Sequence, residues 1–273
     1  MTPSERDTSA PASDPRAPAM PRAALVTGAA RRIGAALVRD LAASGWAVAV
    51  HYHGSEAAAR ALCAEIVAAG GRAVALRADL RDEAALARLV EEAAAELGPL
   101  GLLVNNASIF EFDDHESCAR TSWDAHLDTN LRAPFVLIQH FARALPAEAR
   151  GLVVNLLDTR LWNLSPGYLS YTLSKAGLWT LTYTLAQALA PRIRVNALGP
   201  GPTLPSQGQS DADFAARQAG LPLGEGAGLA EICAALRFLI DAPSVTGQMI
   251  GLDGGDHLSR DQPPAGTTRP EGG

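Results

Sequence analysis

Lysine is nearly missing from this chain. Of its 23 basic residues one is lysine, Lys175, and the other 22 are arginine. Arginine therefore serves wherever positive charge alone is needed, and the single lysine marks a position that a planar guanidinium does not suit. Cysteine is also scarce: Cys63, Cys118 and Cys233 are odd in number, far apart and free of CxxC or Cys/His spacing. That pattern argues against a disulfide framework and against zinc, so no metal site is expected and a reducing, cytoplasmic location is. No run approaches the ~18 apolar residues of a membrane span, and residues 1–21 carry no apolar segment of the signal-peptide kind. Positive charge is not in excess either, since the formal net charge is −6, and nucleic acid is not an expected partner.

What is present starts at Lys175. It follows Tyr171 by four residues, and on a helix that spacing puts phenol and ammonium on one face. A cation there is expected to favour the phenolate and lower the tyrosine pKa from about 10. A solvated lysine beside a structural tyrosine has the same spacing, so the surrounding pattern has to decide.

The pattern along the chain is regular. Short apolar runs at 23–27, 47–52, 73–77, 102–104, 152–157, 194–198 and 248–252 read as strands. Helical segments at 33–44, 55–69, 82–97, 122–144, 168–189 and 229–239 alternate with them, the fourth of these tolerating Pro134. Near-continuous apolar strands belong to a parallel sheet covered on both faces. The expected fold is one α/β, doubly wound domain over 22–260, with a mostly parallel seven-stranded sheet. The Pro- and Gly-rich ends, 1–21 and 261–273, read as disordered tails. The segment 199–228 is too long for an ordinary connection and reads as a substrate loop.

Ligands in such a fold bind at the carboxyl ends of the strands. The first strand runs into Thr27-Gly28-Ala29-Ala30-Arg31-Arg32-Ile33-Gly34, where glycines permit a tight turn and close approach of a pyrophosphate to a helix N-terminus. The second strand ends in His51-Tyr52-His53-Gly54-Ser55, with no acid for a ribose 2′-hydroxyl. With two arginines nearby this favours NADP(H). Asp79, ahead of Leu80, can accept from an adenine amino group or cap the next helix. Asn105-Asn106-Ala107-Ser108 suits a tight turn. Asp158 ends the fifth strand 13 residues before Tyr171, and an acid at the end of an apolar strand needs a partner or a task.

These features, with Asn130 and the Gly199-Pro200-Gly201 turn, resemble the classical short-chain dehydrogenase/reductases over roughly residues 22–258. Asp158 stands where that family usually has serine, and this resembles its pteridine reductase branch, dihydromonapterin reductases included. The basic pair Arg31-Arg32, the 51–53 strand end, Asn106 to Phe110 and Leu252 to Arg260 point the same way. The resemblance implies Tyr171 as general acid, Lys175 as its tuner and ribose ligand, Asp158 as partner in proton delivery, and Asn130 as support for a relay water. It implies NADPH held along Gly28, Arg31, Arg32, Ile33, Gly34, His51, Tyr52, His53, Ser55, Asp79 and Leu80. The nicotinamide end would lie along Asn106, Ala107, Ser108, Tyr171, Lys175, Pro200 and Gly201. Arg32, Ser108, Phe110, Asp158 and Tyr171 would contact a pterin, with Phe110 stacked on its ring; a loop aromatic tucked onto the core is the alternative for Phe110. Gly54 stands where the branch often has arginine, so the NADP reading leans on Arg31, His53 and Ser55. The implied protein is a homotetramer, packed through the helices at 122–144 and 168–189, that reduces a dihydropterin to its tetrahydro form. An NADP(H)-dependent carbonyl or imine reductase is the first alternative, and a non-catalytic NADP(H)-binding regulator the second.

Overall fold

A computed structural model describes residues 19–206 and 208–259. Seven strands, β1 (Ala23–Val26), β2 (Ala47–Tyr52), β3 (Arg72–Arg77), β4 (Leu102–Asn105), β5 (Gly151–Leu156), β6 (Ile193–Pro200) and β7 (Met249–Leu252), form one sheet in the order β3-β2-β1-β4-β5-β6-β7. Every neighbouring pair is parallel. This is the doubly wound, Rossmann-like arrangement expected. The central strands are buried on both faces, which is why they read as unbroken apolar runs.

The helices divide between the faces. Leu37, Val38 and Leu41 of α1 (Arg32–Ala43), Leu62 and Ile66 of α2 (Glu56–Ala68) and Ile232 and Leu236 of α8 (Leu229–Asp241) form one core. Leu86 and Leu89 of α3 (Glu83–Leu97), Leu137 and Phe141 of α5 (Ala133–Ala144) and Ala186 of α6 (Leu169–Leu189) fill the other. The strand order reverses between β1 and β4, and their carboxyl ends open the crevice in which such sheets bind ligands.

Three expectations need correction. The helix read over 122–144 is α4 (Arg120–Leu127), a five-residue π-turn (Asp128–Arg132) and α5. In a regular helix the Pro134 ring clashes with the carbonyl four residues back, that of Asn130; the widened turn relieves it. The segment 199–228 holds a helix of its own, α7 (Asp211–Ala219), capped by Ser210, whose hydroxyl accepts from the Asp213 amide at 3.1 Å. The tail reading of 1–21 fails at its end, because Met20 packs on the core and the Ala19 carbonyl accepts from the Arg150 amide at 3.2 Å. Residues 1–18, Arg260 and the tail 261–273 lie outside the described residues.

Candidate active site

The glycine loop is shaped by packing against the end of β4. Gly28 has φ +59°, and a Cβ there would come within 2.8 Å of the Ala107 Cα. A Cβ on Gly34 would meet Asn106 Nδ2 at 2.6 Å. Asn106 Nδ2 donates to the carbonyls of Thr27 (2.8 Å) and Gly28 (3.1 Å), and Thr27 Oγ1 accepts from the amides of Asn106 and Ala107, each at 3.0 Å. Asn106 and Ala107 therefore build the loop that a dinucleotide needs. Arg31, exposed, precedes α1, and Arg32 has φ +53°, a conformation that costs a non-glycine residue about 1–2 kcal/mol. Its guanidinium reaches across to donate to the Pro205 carbonyl at 3.0 Å.

The second strand's end divides. His51 is 1% exposed and Tyr52 is buried, so their side chains support the loop and do not open on a ligand. His51 Nδ1 accepts from the Gly28 amide at 3.0 Å, which leaves the proton on Nε2 for the Ala78 carbonyl at 3.2 Å. Burial pushes its pKa down to about 4, with His53 adding to it against the Ala78 bond, so the ring is neutral. His53 and Ser55 remain accessible, as a 2′-phosphate site requires. Asp79 does not cap the next helix; Asp82 does, accepting from Ala84 at 2.9 Å. Asp79 is paired with Arg81 at 3.0 Å, and those hydrogen bonds hold its carboxyl down at about 2. Leu80 is buried in the core.

Beyond the loop, a pocket of about 340 Å³ brings together Arg32, Ser108, Phe110, Asp158, Tyr171 and Lys175. The Tyr171 hydroxyl donates to Asp158 Oδ2 at 3.0 Å, and Asp158 Oδ1 accepts from the Arg160 amide at 2.8 Å. Lys175 Nζ donates to the Leu156 carbonyl at 2.7 Å and stands 5.8 Å from the centre of the Tyr171 ring. The expected lowering of the phenol pKa does not occur. Burial, then the charge and hydrogen bond of Asp158, hold it well above 10, with Arg160 opposing. Burial brings Lys175 down to about 8, against the pull of Asp158. The phenol is thus a protonated donor at neutral pH. Asn130 is fully buried, and its amide is committed: Oδ1 accepts from Ile109 (2.8 Å), and Nδ2 donates to the Ile109 carbonyl and to Ser174 Oγ (both 3.0 Å). Its side chain ties the 108–114 loop to Ser174 of α6.

Phe110 is 42% exposed, so it is not tucked onto the core; it stacks on Tyr168 at 4.3 Å and meets Tyr171 edge-on at 4.7 Å. Tyr168 was not foreseen. Neither were Arg160, whose guanidinium lies 5.0 Å from the Tyr168 ring, nor Arg217, Asp256 and His257 on the pocket's outer side. Arg160 carried a faint signal, two residues beyond Asp158 at a strand end. Arg217 comes from α7, where nothing local marks it, and Asp256 and His257 come from the 3₁₀ turn Asp256–Leu258, a stretch noted for its resemblance but not read as lining the pocket. Pro200 and Gly201 line the same pocket. Among the described residues no group of three or more His, Cys, Asp or Glu is placed to hold a metal, and no helix is long and apolar enough to cross a membrane.

Residues 22–214 match the family model of the short chain dehydrogenase. FolM alternative dihydrofolate reductase 1 from Brucella canis, solved with NADP, is 45% identical, with a TM-score of 0.87 over 92% of this chain and 100% of that one. Its Brucella suis counterpart, also with NADP, is 46% identical, with a TM-score of 0.85 over 90% and 97%. The 3-oxoacyl-[acyl-carrier-protein] reductase FabG of Staphylococcus aureus is 33% identical over 88% of this chain and 99% of its own.

Proposed function

The chain belongs to the short chain dehydrogenase family, and from that premise we propose that it is an NADPH-dependent reductase taking a dihydropterin to the tetrahydro form. The observation that carries this reading is the Tyr171–Asp158 hydrogen bond at 3.0 Å inside a pocket walled by Phe110. A carboxylate beside the phenol is the wrong group to polarise a ketone oxygen, but it matches the N–H groups of an aminopyrimidine, and Phe110 offers a flat face to a planar ring. The Brucella relatives, named as dihydrofolate reductases and bound to NADP, support the same substrate class and cofactor.

The residues fit NADPH. The Gly28–Gly34 cradle leaves no room for a Cβ, and Arg31, His53 and Ser55 stand exposed or partly so where a 2′-phosphate would lie. Bound there, the cofactor supplies hydride. Tyr171, kept protonated, gives its proton to the ring nitrogen left electron-rich by reduction. Asp158 orients the phenol beforehand and takes the substrate's N–H donors. A phenolate beside a carboxylate is costly, and Lys175 and Arg160 are the cations placed to offset it. A homotetramer located in the cytoplasm belongs to the same reading.

NADPH oxidation by the purified protein is the test, with a dihydropterin, a ketone panel and NADH controls side by side. We expect turnover with the dihydropterin, preference for NADPH, and a loss of at least about 100-fold in kcat for Asp158→Ala, the scale of misplacing a donor and its substrate. The FabG similarity favours a second reading, a carbonyl reductase; turnover confined to ketones would establish it.

A further inference from the structure

The catalytic helix α6 begins without a cap of its own. Its N-cap residue, Tyr168, is left-handed at φ +59° and makes no side-chain cap bond. The free N–H groups of the first turn are met instead from the 108–114 loop. The Leu169 amide donates to the Asp113 carbonyl at 3.2 Å, and the Ser170 amide to Asp113 Oδ1 at 3.1 Å. An anion at a helix N-terminus is favourable, so Asp113 caps in trans.

The carboxylate continues into a directed chain. His126 Nε2 accepts from the Glu111 amide at 3.2 Å, which puts the ring proton on Nδ1. Nδ1–H then donates to Ser170 Oγ at 2.7 Å, and Ser170 Oγ–H donates to Asp113 Oδ2. All three side chains are at most 1% exposed. That burial, with the serine hydroxyl spent on the carboxylate, rules out a nucleophilic triad. Burial alone raises the Asp113 pKa, but the Ser170 hydroxyl and amide bonds, with smaller contributions from Cys118 and His126, together hold the group below the usual carboxylate range. Asp113 therefore stays a carboxylate at neutral pH and keeps its acceptor role.

We propose that Asp113, Ser170 and His126 are positioning residues, which hold the Phe110 loop and the Tyr171 turn as one unit. Ser170 is next to Tyr171, and Phe110 and Phe112 both pack on Tyr168, the residue that opens the helix. Asn130 grips the other end of the loop through Ile109. Loosening the chain moves the aromatic wall and the phenol relative to each other, while the cofactor cradle, built from β1, β4 and α1, is untouched. The proposal rests on Tyr171 as proton donor but not on the identity of the substrate.

Ser170→Ala and Asp113→Asn test it, the second variant guarding against misfolding of the first. In the protein without substrate, amide hydrogen exchange across 109–114 and 169–170 should speed up at least about tenfold, with the β1, β4 and β5 amides unchanged. With whichever substrate the native protein turns over, dihydropterin or ketone, kcat should fall about tenfold and substrate KM rise severalfold, while the NADPH Kd stays within twofold. Turnover of ketones alone would discard the pterin substrate and leave this test standing. Unchanged exchange with kcat and KM within twofold, or a loss of activity that parallels a loss of NADPH affinity, would overturn the proposal.

Discussion

Arg160, with Lys175 a cation placed near the phenol, sits in the wall of the pocket. Its guanidinium lies 5.0 Å from the Tyr168 ring and 5.8 Å from the Phe110 ring, with Nη1 held by Ser165 Oγ at 2.9 Å. Because it opposes the rise of the Tyr171 pKa, Arg160→Met should push that pKa higher still. The basic limb of the kcat–pH profile should then move to higher pH, and kcat should drop roughly tenfold, since each decade in rate is about 1.4 kcal/mol of barrier. A limb that stays in place removes Arg160 from the proton transfer. His51 makes a second residue-scale prediction. Its folded pKa, near 4 through burial, lies below the unfolded value of about 6.5. The contribution of the neutral ring is complete above pH 6.5 and lost as pH falls toward 4, a difference of about 3 kcal/mol. Urea unfolding at pH 7 and pH 4.5 should show this acid loss in the native protein and a much smaller one in His51→Leu. At this scale the sequence was informative where spacing carried the chemistry: Tyr171, Lys175, Asp158, Ser108, Phe110 and Arg32 all line the pocket. It did not show that the side chains of His51, Tyr52 and Leu80 are buried, because position near a strand end says nothing about which side chains turn inward.

Elements carry the next level. The turn from β1 into α1 works only because α1 starts against the end of β4, with Gly34 under Asn106. Gly34→Ala puts a Cβ 2.6 Å from Asn106 Nδ2 and 2.7 Å from the Gly28 carbonyl oxygen, and both are held by hydrogen bonds or backbone. Overpacking of this kind costs about 1–3 kcal/mol. We expect the melting temperature to fall by several degrees and NADPH affinity, followed by calorimetric titration, to weaken at least tenfold. Full affinity in Gly34→Ala would mean that the loop is not the cofactor's seat. The alternation of βα units was legible because fully buried strands and 3.6-period helices have different hydrophobic signatures. The π-turn at 128–132 was not, since it departs from helical period by one residue, although Pro134 four residues after Asn130 was a visible cause. α7 had a local signal as well, Ser210 followed three residues on by Asp213, submerged in a Gly- and Pro-rich stretch.

At the scale of the whole molecule the outer face of α6 stands out. Its exposed positions mix the polar Thr180, Thr184 and Gln187 with large apolar side chains, and exposed apolar groups on one element mark a candidate contact surface. α6 buries Leu178 and Ala186 toward the sheet, and it also presents Leu173, 44% exposed, and Tyr183, 56% exposed, on its outer side. The same helix carries Tyr171 and Lys175, so whatever covers its outer side braces the active site from behind. The homotetramer proposed above would cover it with a second copy of α6. Light scattering on the eluting protein should then give about four chain masses, and Leu173→Glu with Tyr183→Glu should lower that mass, because burying two carboxylates at a subunit contact costs several kcal/mol each. If the doubly substituted protein binds NADPH normally but turns over slowly, the contact stiffens α6 for catalysis. If its mass equals that of the native protein, the outer side of α6 is not a subunit contact, and the exposed leucine and tyrosine need another explanation.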